Sequence, residues 1–466
     1  MSKKRRRGRG PRPPQFDPGR RQFLAGMAAA AGGIALGSCA DSSLPELVLP
    51  PLADPTTSGI ENIIVVMMEN RSYDHFLGWL PGGDGKQKGL TYLDANGFPH
   101  NTYPLAPEFQ GCGFQDPDHS HEGGVKQYNS GQCDGFLVTS PNDIFPIGYY
   151  TQADLSFTGQ CAPAWTCYDR YFCSILAETY PNRFYQHAAQ TSQIHNNTQA
   201  AVTNPSTIPT IWDLLANAGL TGKYYYSDAP FLGLWGNKYI SNGTAVQFST
   251  FLTDCQNGTL PNVSFVDPAF EDEGSGTSKD DHPFADIRDG QAFLSQIYNA
   301  VTASSQWPNT VMFINYDEWG GFFDHVPPPD SGVIPDADRA ACVAEGVEPF
   351  SMMGFRVPTM CISPFARRAY VDHLQYDHTS ILKMIEWRWS LPHLTERDRR
   401  ALNIAYSLDL ANPNLTVPPF TVPAGPFGTA CNSQNVSPGA AARHEKHFAE
   451  IRALKAVGRH YGYPVK

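Results

Sequence analysis

Two apolar stretches of the sequence each end in a pair of side chains that can bind a metal ion. The first, IIVVMM, is followed by Glu69 and Asn70, and the second, VMFINY, by Asp317 and Glu318. Oxygen ligands of this kind suit a hard or borderline divalent cation, and carboxylates brought together repel one another unless a cation lies among them. Either pair alone is also typical of a helix N-cap or a solvated loop end. Two pairs in one chain favour one divalent metal ion, whose identity the residues leave open.

Four histidines occur in segments rich in Asp, Pro and Gly. They are His119 in DPDHSH, His282 in DDHP, His325 in WGGFFDH and His378 in YDHTS. A lone histidine is more often structural or exposed, whereas imidazoles in such polar segments are suited to bind phosphate or a metal ion. We expect most of the four, but not all, to line a site for an anion.

Thr179, in CSILAETYPNRFYQH, lies where an apolar run gives way to a helix-like segment. A hydroxyl at a helix N-terminus beside a cation can ionise at neutral pH, because the helix dipole and the metal ion both favour the alkoxide. The alternative is an ordinary threonine N-cap without chemistry. Thr179 is the candidate nucleophile.

The apolar patterns predict the elements that position these side chains. Strands are predicted at Ile63–Met68, Gly222–Tyr226, Val311–Tyr316 and Val357–Ile362, and helices at Ile208–Ala218, Ile287–Ala300 and Thr379–Trp389. Such alternation is typical of an α/β fold with a parallel sheet, in which ligands bind beyond the carboxyl ends of the strands. Both acidic pairs are therefore expected at one edge of the sheet. Segments 84–160, 228–285 and 327–346 are expected to be long irregular loops.

The N-terminal region differs from the rest of the chain. Residues 1–39 combine a basic run, a twin arginine and an Ala/Gly-rich stretch, as expected of a twin-arginine export signal. Leu36–Cys39 also matches a lipobox, so we expect either lipidation of Cys39 or cleavage near Ala40 without lipid. Residues 40–59 are Pro-rich, like a linker, and 60–466 are expected to form one domain. The protein is then periplasmic, lipid-anchored at the cell envelope, or secreted.

The net charge limits the binding partners that we expect, and the cysteine content indicates how the cysteines are used. The 466-residue chain has a net charge of −11, and its basic residues are concentrated at the N-terminus, which leaves a strongly acidic remainder. Such a surface disfavours nucleic acid and electrostatic docking on anionic lipid. We expect membrane contact only through a lipid anchor or transiently. The ten cysteines can form disulfides after export, and their spacing matches no usual zinc motif.

Four motifs resemble, in order, those of the bacterial phosphoesterase family that includes the phosphocholine-type phospholipases C and an acid phosphatase branch. They are ENIIVVMMENRSYDHFLGWLPG, ETYPNRFY, NYDEWGGFFDHVPPP and VPTMCISPFARRAYV followed by YDHTSILKMIEWRW. The similarity runs from about residue 60 to about residue 410. It implies an alkaline-phosphatase-like α/β/α sandwich with a mostly parallel central sheet and long loop insertions.

The resemblance also implies a role for each candidate residue. The metal ligands would be Glu69, Asn70, Asp317, Glu318 and Thr179; the catalytic residues Thr179, His325 and His378; and the substrate-binding residues His119, His282, Asn182 and Arg183. Thr179 would attack phosphorus in line and form a phosphothreonine that water hydrolyses. His325 or His378 would protonate the leaving group.

The sequence departs from the family pattern in three places. Ala177 and Glu178 stand where a Gly-Pro pair often precedes the nucleophile, Gln132 replaces a common lysine, and Asp281 replaces a common histidine. Fewer cations would bind a doubly charged phosphomonoester less well, which favours diesters or a substrate with a positive head group.

Three functions follow as hypotheses. The first is an exported metal-dependent phosphodiesterase of the phospholipase C type, acting on a phospholipid or a small phosphoester. The second is an acid phosphatase with the same catalytic centre, and the third, a remote alternative, is a surface lipoprotein that binds a ligand without turnover.

Overall fold

The computed structural model describes residues 49–139, 143–191, 196–197, 204–270, 276–345, 348–431 and 438–465. The chain divides into two compact units, Met1–Pro51 and Leu52–Lys466. Almost all of the first unit lies outside the described residues, and so do the expected export signal and lipobox. The second unit contains all of the candidate site residues.

An eight-stranded sheet forms the centre of the second unit. Its strands are β1 (Asn62–Met68), β2 (Thr166–Tyr168), β3 (Gly222–Tyr226), β4 (Ala245–Gln247), β5 (Val263–Val266), β6 (Thr310–Tyr316), β7 (Met360–Ile362) and β8 (Tyr370–Asp372). The spatial order is β8, β2, β7, β6, β1, β5, β3, β4, and neighbouring strands are parallel except where β7 is involved. This confirms the α/β fold with a mostly parallel sheet.

Helices and minor strands surround this sheet. The helices are α1 (Tyr73–Leu77), α2 (His121–Tyr128), α3 (Thr158–Cys161), α4 (Thr179–Ala188), α5 (Ile211–Asn217), α6 (Lys238–Ser241), α7 (Phe248–Asn257), α8 (Ile287–Ala303), α9 (Asp336–Glu345), α10 (His378–Trp389), α11 (Glu396–Arg400) and α12 (Pro438–His460). Two small sheets pair Thr91–Leu93 with Pro99–Asn101 and Tyr103–Pro104 with Gly148–Tyr149. Within the described part of the chain, no helix has the length and apolar character needed to cross a membrane.

The central strands β1 and β6 are buried at every position. A strand covered on both faces needs apolar side chains pointing both ways, which is why these two stretches are continuously apolar instead of alternating. The parallel register pairs Asn62 with Thr310 at one end and Met68 with Tyr316 at the other. Both strands therefore end at the same edge of the sheet.

Two expectations about the fold were wrong. The strand predicted at Val357–Ile362 is shorter and runs antiparallel to its neighbours, because the chain returns to the sheet from the edge at which β6 ends instead of crossing a face, as a parallel connection requires. The three segments expected to be irregular are not so throughout: 228–285 contains β4, α7 and β5, 84–160 contains α2 and most of α3, and 327–346 contains α9. These elements are short, so they give little periodicity.

A disulfide joins Cys112 to Cys431. It links the segment that precedes His119 to a segment close to the C-terminus. Five further cysteines are free and buried: Cys161, Cys167, Cys173, Cys255 and Cys361.

Candidate active site

The two acidic pairs meet at the carboxyl edge of the sheet. Glu69 and Asn70 follow β1, Asp317 and Glu318 follow β6, and all four are buried. The Asn70 amide donates a hydrogen bond to Asp317 Oδ1 at 3.1 Å, and the Asp317 amide donates to the Met68 carbonyl at 3.1 Å. The structure thus brings together the four side chains that the sequence places at strand ends.

Gly320 allows the chain to turn closely behind this acidic edge. Asn70 has a φ of 60° and Gly320 a φ of 62°, a conformation that glycine adopts without strain and asparagine tolerates. A Cβ on Gly320 would lie 2.1 Å from the Asn70 carbonyl oxygen. Glycine is therefore required there for the loop after Glu318 to pack on Asn70.

Thr179 is the first residue of α4 and is buried. Its Oγ1 donates to Asn70 Oδ1 at 3.4 Å. Asn182, one turn later, fixes the preceding loop: its Oδ1 accepts from the Ile175 amide at 3.1 Å, and its Nδ2 donates to the Ala177 carbonyl at 2.8 Å. Asn182 therefore positions the start of the helix, and with it the Thr179 hydroxyl, beside the acidic edge.

Arg183 lies among three carboxylates. Its guanidinium contacts Asp267 at 2.9 Å, Glu69 at 3.2 Å and Asp317 at 3.3 Å. Burial alone would lower the pKa of Arg183. The three carboxylates have the larger effect, so the pKa lies above its ordinary value. Arg183 also donates to the Met67 carbonyl at 3.5 Å and lies over the Phe270 ring. These contacts hold the acidic edge together, and substrate binding by Arg183 stays a prediction.

His119 contacts the same edge from the other side. Its Nδ1 lies 2.8 Å from Glu318 Oε1 and its Nε2 lies 3.6 Å from Asp116 Oδ2, and its ring centroid is 5.9 Å from that of His282. Burial lowers the pKa of His119, but Glu318 and Asp116 outweigh it and raise the pKa well above the usual value. Burial raises the pKa of Glu318 to about 7, opposed by His119.

His378 contacts the backbone of the acidic edge. Its Nε2 donates to the Asp317 carbonyl at 2.8 Å, and its Nδ1 accepts from the Tyr171 hydroxyl at 3.2 Å. Burial lowers the pKa of His378 to about 4. The neutral ring therefore fixes the backbone of Asp317, with both nitrogens engaged by the protein.

His325 is held in a separate polar cluster. Its Nδ1 contacts Asp74 Oδ2 at 2.5 Å and its Nε2 contacts Asp84 Oδ1 at 3.1 Å. Burial lowers the pKa of His325, but these two carboxylates raise it to about 9 overall. Both ring nitrogens are engaged by carboxylates that the sequence did not single out.

The acidic edge has the composition of a cation site. The ion pairs among its described residues join the carboxylates of Glu69, Asp116, Asp267, Asp317 and Glu318 to two cationic side chains, Arg183 and His119. Burying carboxylates without compensating charge is costly, and burial raises the pKa of Asp317. Asn70 Nδ2 and Asp317 Oδ2 are buried without a hydrogen-bond partner. Glu69, Asn70, Asp317, Glu318 and Thr179 therefore have the donor chemistry that suits a divalent ion, although the ligand atoms of Glu69, Asp317 and Glu318 do not all lie within 4.8 Å of one another.

Two acidic residues of the site were missed by sequence analysis. Asp267 directly follows β5, which is the same signal that identified Asp317 after β6, but the four-residue strand was itself not recognised. Asp116 stands beside His119 in DPDHSH. One ligand atom from each of Asp116, His119 and His282 can be chosen so that all lie within 4.8 Å of one another.

Asp281 and Glu178, the acidic residues that depart from the family pattern, are hydrogen-bonded within the protein. The Asp281 carboxylate accepts from the Tyr316 hydroxyl at 2.6 Å. Glu178 Oε2 accepts from the Asn197 amide at 2.7 Å. Both carboxylates are stabilised by hydrogen bonds within the protein, which reduces the repulsion that they would exert on an anionic substrate.

The chain is similar to known proteins of one family. Residues 60–392 match the phosphoesterase family. The chain is 32% identical over 376 residues to non-specific phospholipase C1 of Arabidopsis thaliana, covering 73% of this chain and 69% of that protein. It is 30% identical over 434 residues to phospholipase C B of Mycobacterium tuberculosis, covering 80% of this chain and 81% of that protein. A solved protein in the alkaline phosphatase superfamily from Vibrio parahaemolyticus aligns with 10% identity and a TM-score of 0.36, over 76% of this chain and 70% of that one.

The protein is a hydrolase that acts on phosphoric ester bonds. Within that class, the chain belongs to the phosphoesterase family, and its activity is phospholipase C-like.

Proposed function

We propose that the protein is an exported, metal-dependent phosphodiesterase of the phospholipase C type, with Thr179 as its nucleophile. The observation that carries this proposal is the position of Thr179: first residue of α4, buried, with Oγ1 3.4 Å from Asn70 Oδ1 at the acidic edge. A hydroxyl in this position can attack phosphorus, since the helix N-terminus favours its alkoxide.

The reaction would proceed in two displacements. Thr179 Oγ1 forms a bond to phosphorus as the bond from phosphorus to the leaving oxygen breaks, which gives a phosphothreonine. Water then attacks that phosphorus and releases Thr179. A divalent ion held by Glu69, Asn70, Asp317, Glu318 and Thr179 supplies Lewis-acid stabilisation of negative oxygen when it is bound.

His119 is the histidine best placed to give a proton to the leaving oxygen. It contacts Glu318 at the acidic edge, and the raised pKa keeps its ring protonated. The partners of His325 are Asp74 and Asp84, outside that edge. The pKa of His378 is lowered, and its neutral ring donates its one N–H to the Asp317 carbonyl. His282 is adjacent to His119, and its Nδ1 is 2.8 Å from the Pro283 carbonyl. We therefore assign proton donation to His119 and phosphate binding to His282. The earlier assignment to His325 or His378 stays an alternative, which the same variants test.

The substrate proposed is a phospholipid or a small phosphodiester with a positive head group. Relatives are named phospholipase C, and the excess of carboxylates at the edge disfavours a doubly charged monoester. Phosphomonoester hydrolysis is the competing function on the same catalytic centre.

The test compares hydrolysis of p-nitrophenylphosphorylcholine with that of p-nitrophenyl phosphate, each with and without chelator. We expect chelator-sensitive turnover that favours the choline diester, lost in Thr179→Ala and largely kept in Thr179→Ser. Thr158→Ala is the matched control, because Thr158 is also buried and the first residue of a helix, but its amide bonds to Gln291. Preference for the monoester would assign the protein to the phosphatase branch. Unchanged turnover in Thr179→Ala would show that Thr179 is not the nucleophile.

We also propose export through the twin-arginine signal in residues 1–39. The disulfide between Cys112 and Cys431 supports an oxidising compartment, since such bonds are rare where thiols are kept reduced. Replacement of Arg20 and Arg21 by Lys should retain the protein inside the cell, which fractionation measures. Normal export of that variant would contradict the proposal.

A further inference from the structure

A second cluster of ligand-type side chains lies at the end of α10 opposite His378. Glu386 is on α10, His393 is in the turn that follows, and Asp398 is on α11. His393 Nδ1 is 2.7 Å from Glu386 Oε2, and one ligand atom from each of the three can be chosen so that all lie within 4.8 Å of one another. At 1.5 Å per residue, Glu386 is about 12 Å along the helix from His378, so this cluster is separate from the acidic edge.

The two carboxylates of the cluster are buried and face each other. Glu386 is 1% exposed and Asp398 0% exposed. Glu386 Oε1 is buried without a hydrogen-bond partner. Burial, followed by contact with Asp398, raises the pKa of Glu386 to about 10. Two carboxylates in contact require either a shared proton or a cation between them.

Neighbouring basic side chains are directed to other groups. Lys383 Nζ donates to the Arg399 carbonyl, Arg397 pairs with Asp377, and Arg399 and Arg400 pair with Glu396. The described interactions of Asp398 Oδ1 and Oδ2 are with hydrogen-bond donors of residues 394, 395 and 399. These contacts position the Asp398 carboxylate. Lys383 interacts electrostatically with Glu386 and lowers its pKa, but among the described ion pairs the one that Glu386 forms is with His393.

We propose that Glu386, His393 and Asp398 bind a divalent cation of the zinc type. An imidazole with two carboxylates is a ligand set that zinc accepts, with water in the fourth position. His393 is 37% exposed at its side chain, which gives the ion a path from solvent. On binding, the proton on His393 Nδ1 moves to Nε2, and the proton held by Glu386 is released to solvent.

The ion would connect the end of α10 to α11. Asp377, the N-cap of α10, is already paired with Arg397 of α11, and His378 donates to the carbonyl of Asp317. A cation at the far end would fix the same two helices at a second point. The site is thus expected to stabilise the support of the acidic edge without taking part in hydrolysis.

The test counts zinc ions bound per chain by equilibrium dialysis of the tag-free protein and elemental analysis. We expect two ions in the wild type, one in His393→Ala and one in Glu318→Gln, whose substitution removes a ligand of the acidic edge. His373→Ala is the matched control and should keep two. His373 is also half exposed, at 42%, and bonded through Nδ1 to a single buried carboxylate, Asp169, at 2.8 Å.

Proton release and thermal stability give independent readouts. Zinc titrations in two buffers of different ionisation enthalpy should show about one proton released per ion bound by Glu318→Gln. The ion should raise the Tm of wild type and His373→Ala by roughly 2–4 °C more than that of His393→Ala or Glu386→Gln. Glu386→Gln mimics the protonated side chain and should fold normally.

Each outcome separates this inference from the proposed function. One ion in the wild type that is lost only in His393→Ala would support the α10–α11 site while removing the metal from the acidic edge. Unchanged zinc binding in both His393→Ala and Glu386→Gln would overturn the inference. In that case Glu386 and Asp398 share a proton.

Discussion

Two buried clusters in this protein are built from the same residue types and have different properties. One is the acidic edge, in which Arg183 and His119 contact five carboxylates. The other, here the Arg356 cluster, contains Arg356, His325 and Arg170 with Asp74, Asp84 and Asp324. Carboxylates exceed cations in the first, whereas the charges of the second balance.

The two clusters also differ in how completely their buried polar atoms are hydrogen-bonded. Arg356 Nη1 donates to the carbonyls of Asp84 at 2.7 Å and Asp169 at 2.9 Å, its Nε donates to Asp324 at 3.0 Å, and the guanidinium lies 4.5 Å from the centre of the Tyr73 ring. The acidic edge instead keeps two buried polar atoms without a hydrogen-bond partner, Asn70 Nδ2 and Asp317 Oδ2, although the latter is ion-paired with Arg183. A satisfied network contributes to stability, and an unsatisfied one is a mark of function.

The largest effect is expected from Glu318→Gln. Removal of one carboxylate from the acidic edge should lower kcat/KM by at least about 10³-fold, the equivalent of several kcal/mol of lost charge stabilisation. The Tm of the metal-free protein should stay equal or rise, because the variant reduces the excess of buried carboxylates over Arg183 and His119. Steady-state kinetics and calorimetry measure the two quantities. A large fall in Tm would show that this carboxylate is structural.

Arg356→Met should have the opposite signature. It leaves the buried carboxylates of Asp74 and Asp324 without their cation, which should lower the free energy of unfolding by about 3–5 kcal/mol. Activity per folded molecule should be nearly unchanged. Urea unfolding measures the loss, and adding Asp324→Asn to the variant should restore part of it. Equal stability of Arg356→Met and wild type would contradict the distinction between the clusters.

Exchange of one histidine in each cluster gives a sharper comparison. His119→Asn should lower kcat by about 10²-fold or more, as loss of a general acid does, with little change in stability. His325→Asn should leave kcat within about threefold of wild type, because its role is to neutralise the Arg356 cluster. The reverse ranking in steady-state assays would return proton donation to His325.

The smallest effect is a pH dependence of stability that comes from His325. Its pKa is raised to about 9 in the folded protein, against about 6.5 in the unfolded chain. The stabilisation from its protonated form is fully present below pH 6.5 or so and is lost as pH rises through about 9. The stability difference between wild type and His325→Gln should therefore shrink from pH 6 to pH 10, measured by urea unfolding. A constant difference would refute the raised pKa.

Much of the acidic edge could be predicted because parallel strands share an edge. Glu69, Asn70, Asp317 and Glu318 directly follow two apolar runs, and Thr179 precedes a helix-like segment, so local patterns suffice to place them. Asp267 gave the same signal, but β5 is too short to be recognised. The direction of β7 also could not be read, since a strand's own residues do not record from which side the chain enters the sheet.

The partners of His325 illustrate what local sequence does not contain. Its neighbour Asp324 and the two glycines before it suggested a residue of the active site. The structure pairs it with Asp74 and Asp84, which lie 251 and 241 residues away in the chain. Such long-range pairing depends on how α1 and the loop after it pack on the residues beyond β6, and no periodicity in either segment reports that packing.

The pairing of β1 with β5 and β6 also sets when the protein can become active. β1 is synthesised early, yet its hydrogen-bonding partners are strands some 200 and 250 residues later, and Asn70 is 247 residues from Asp317. A fold of such high contact order closes its central strands late, after most of the chain is available. The nascent chain therefore contains Thr179 long before it contains the carboxylates that follow β6, so the acidic edge stays incomplete while the protein is being made.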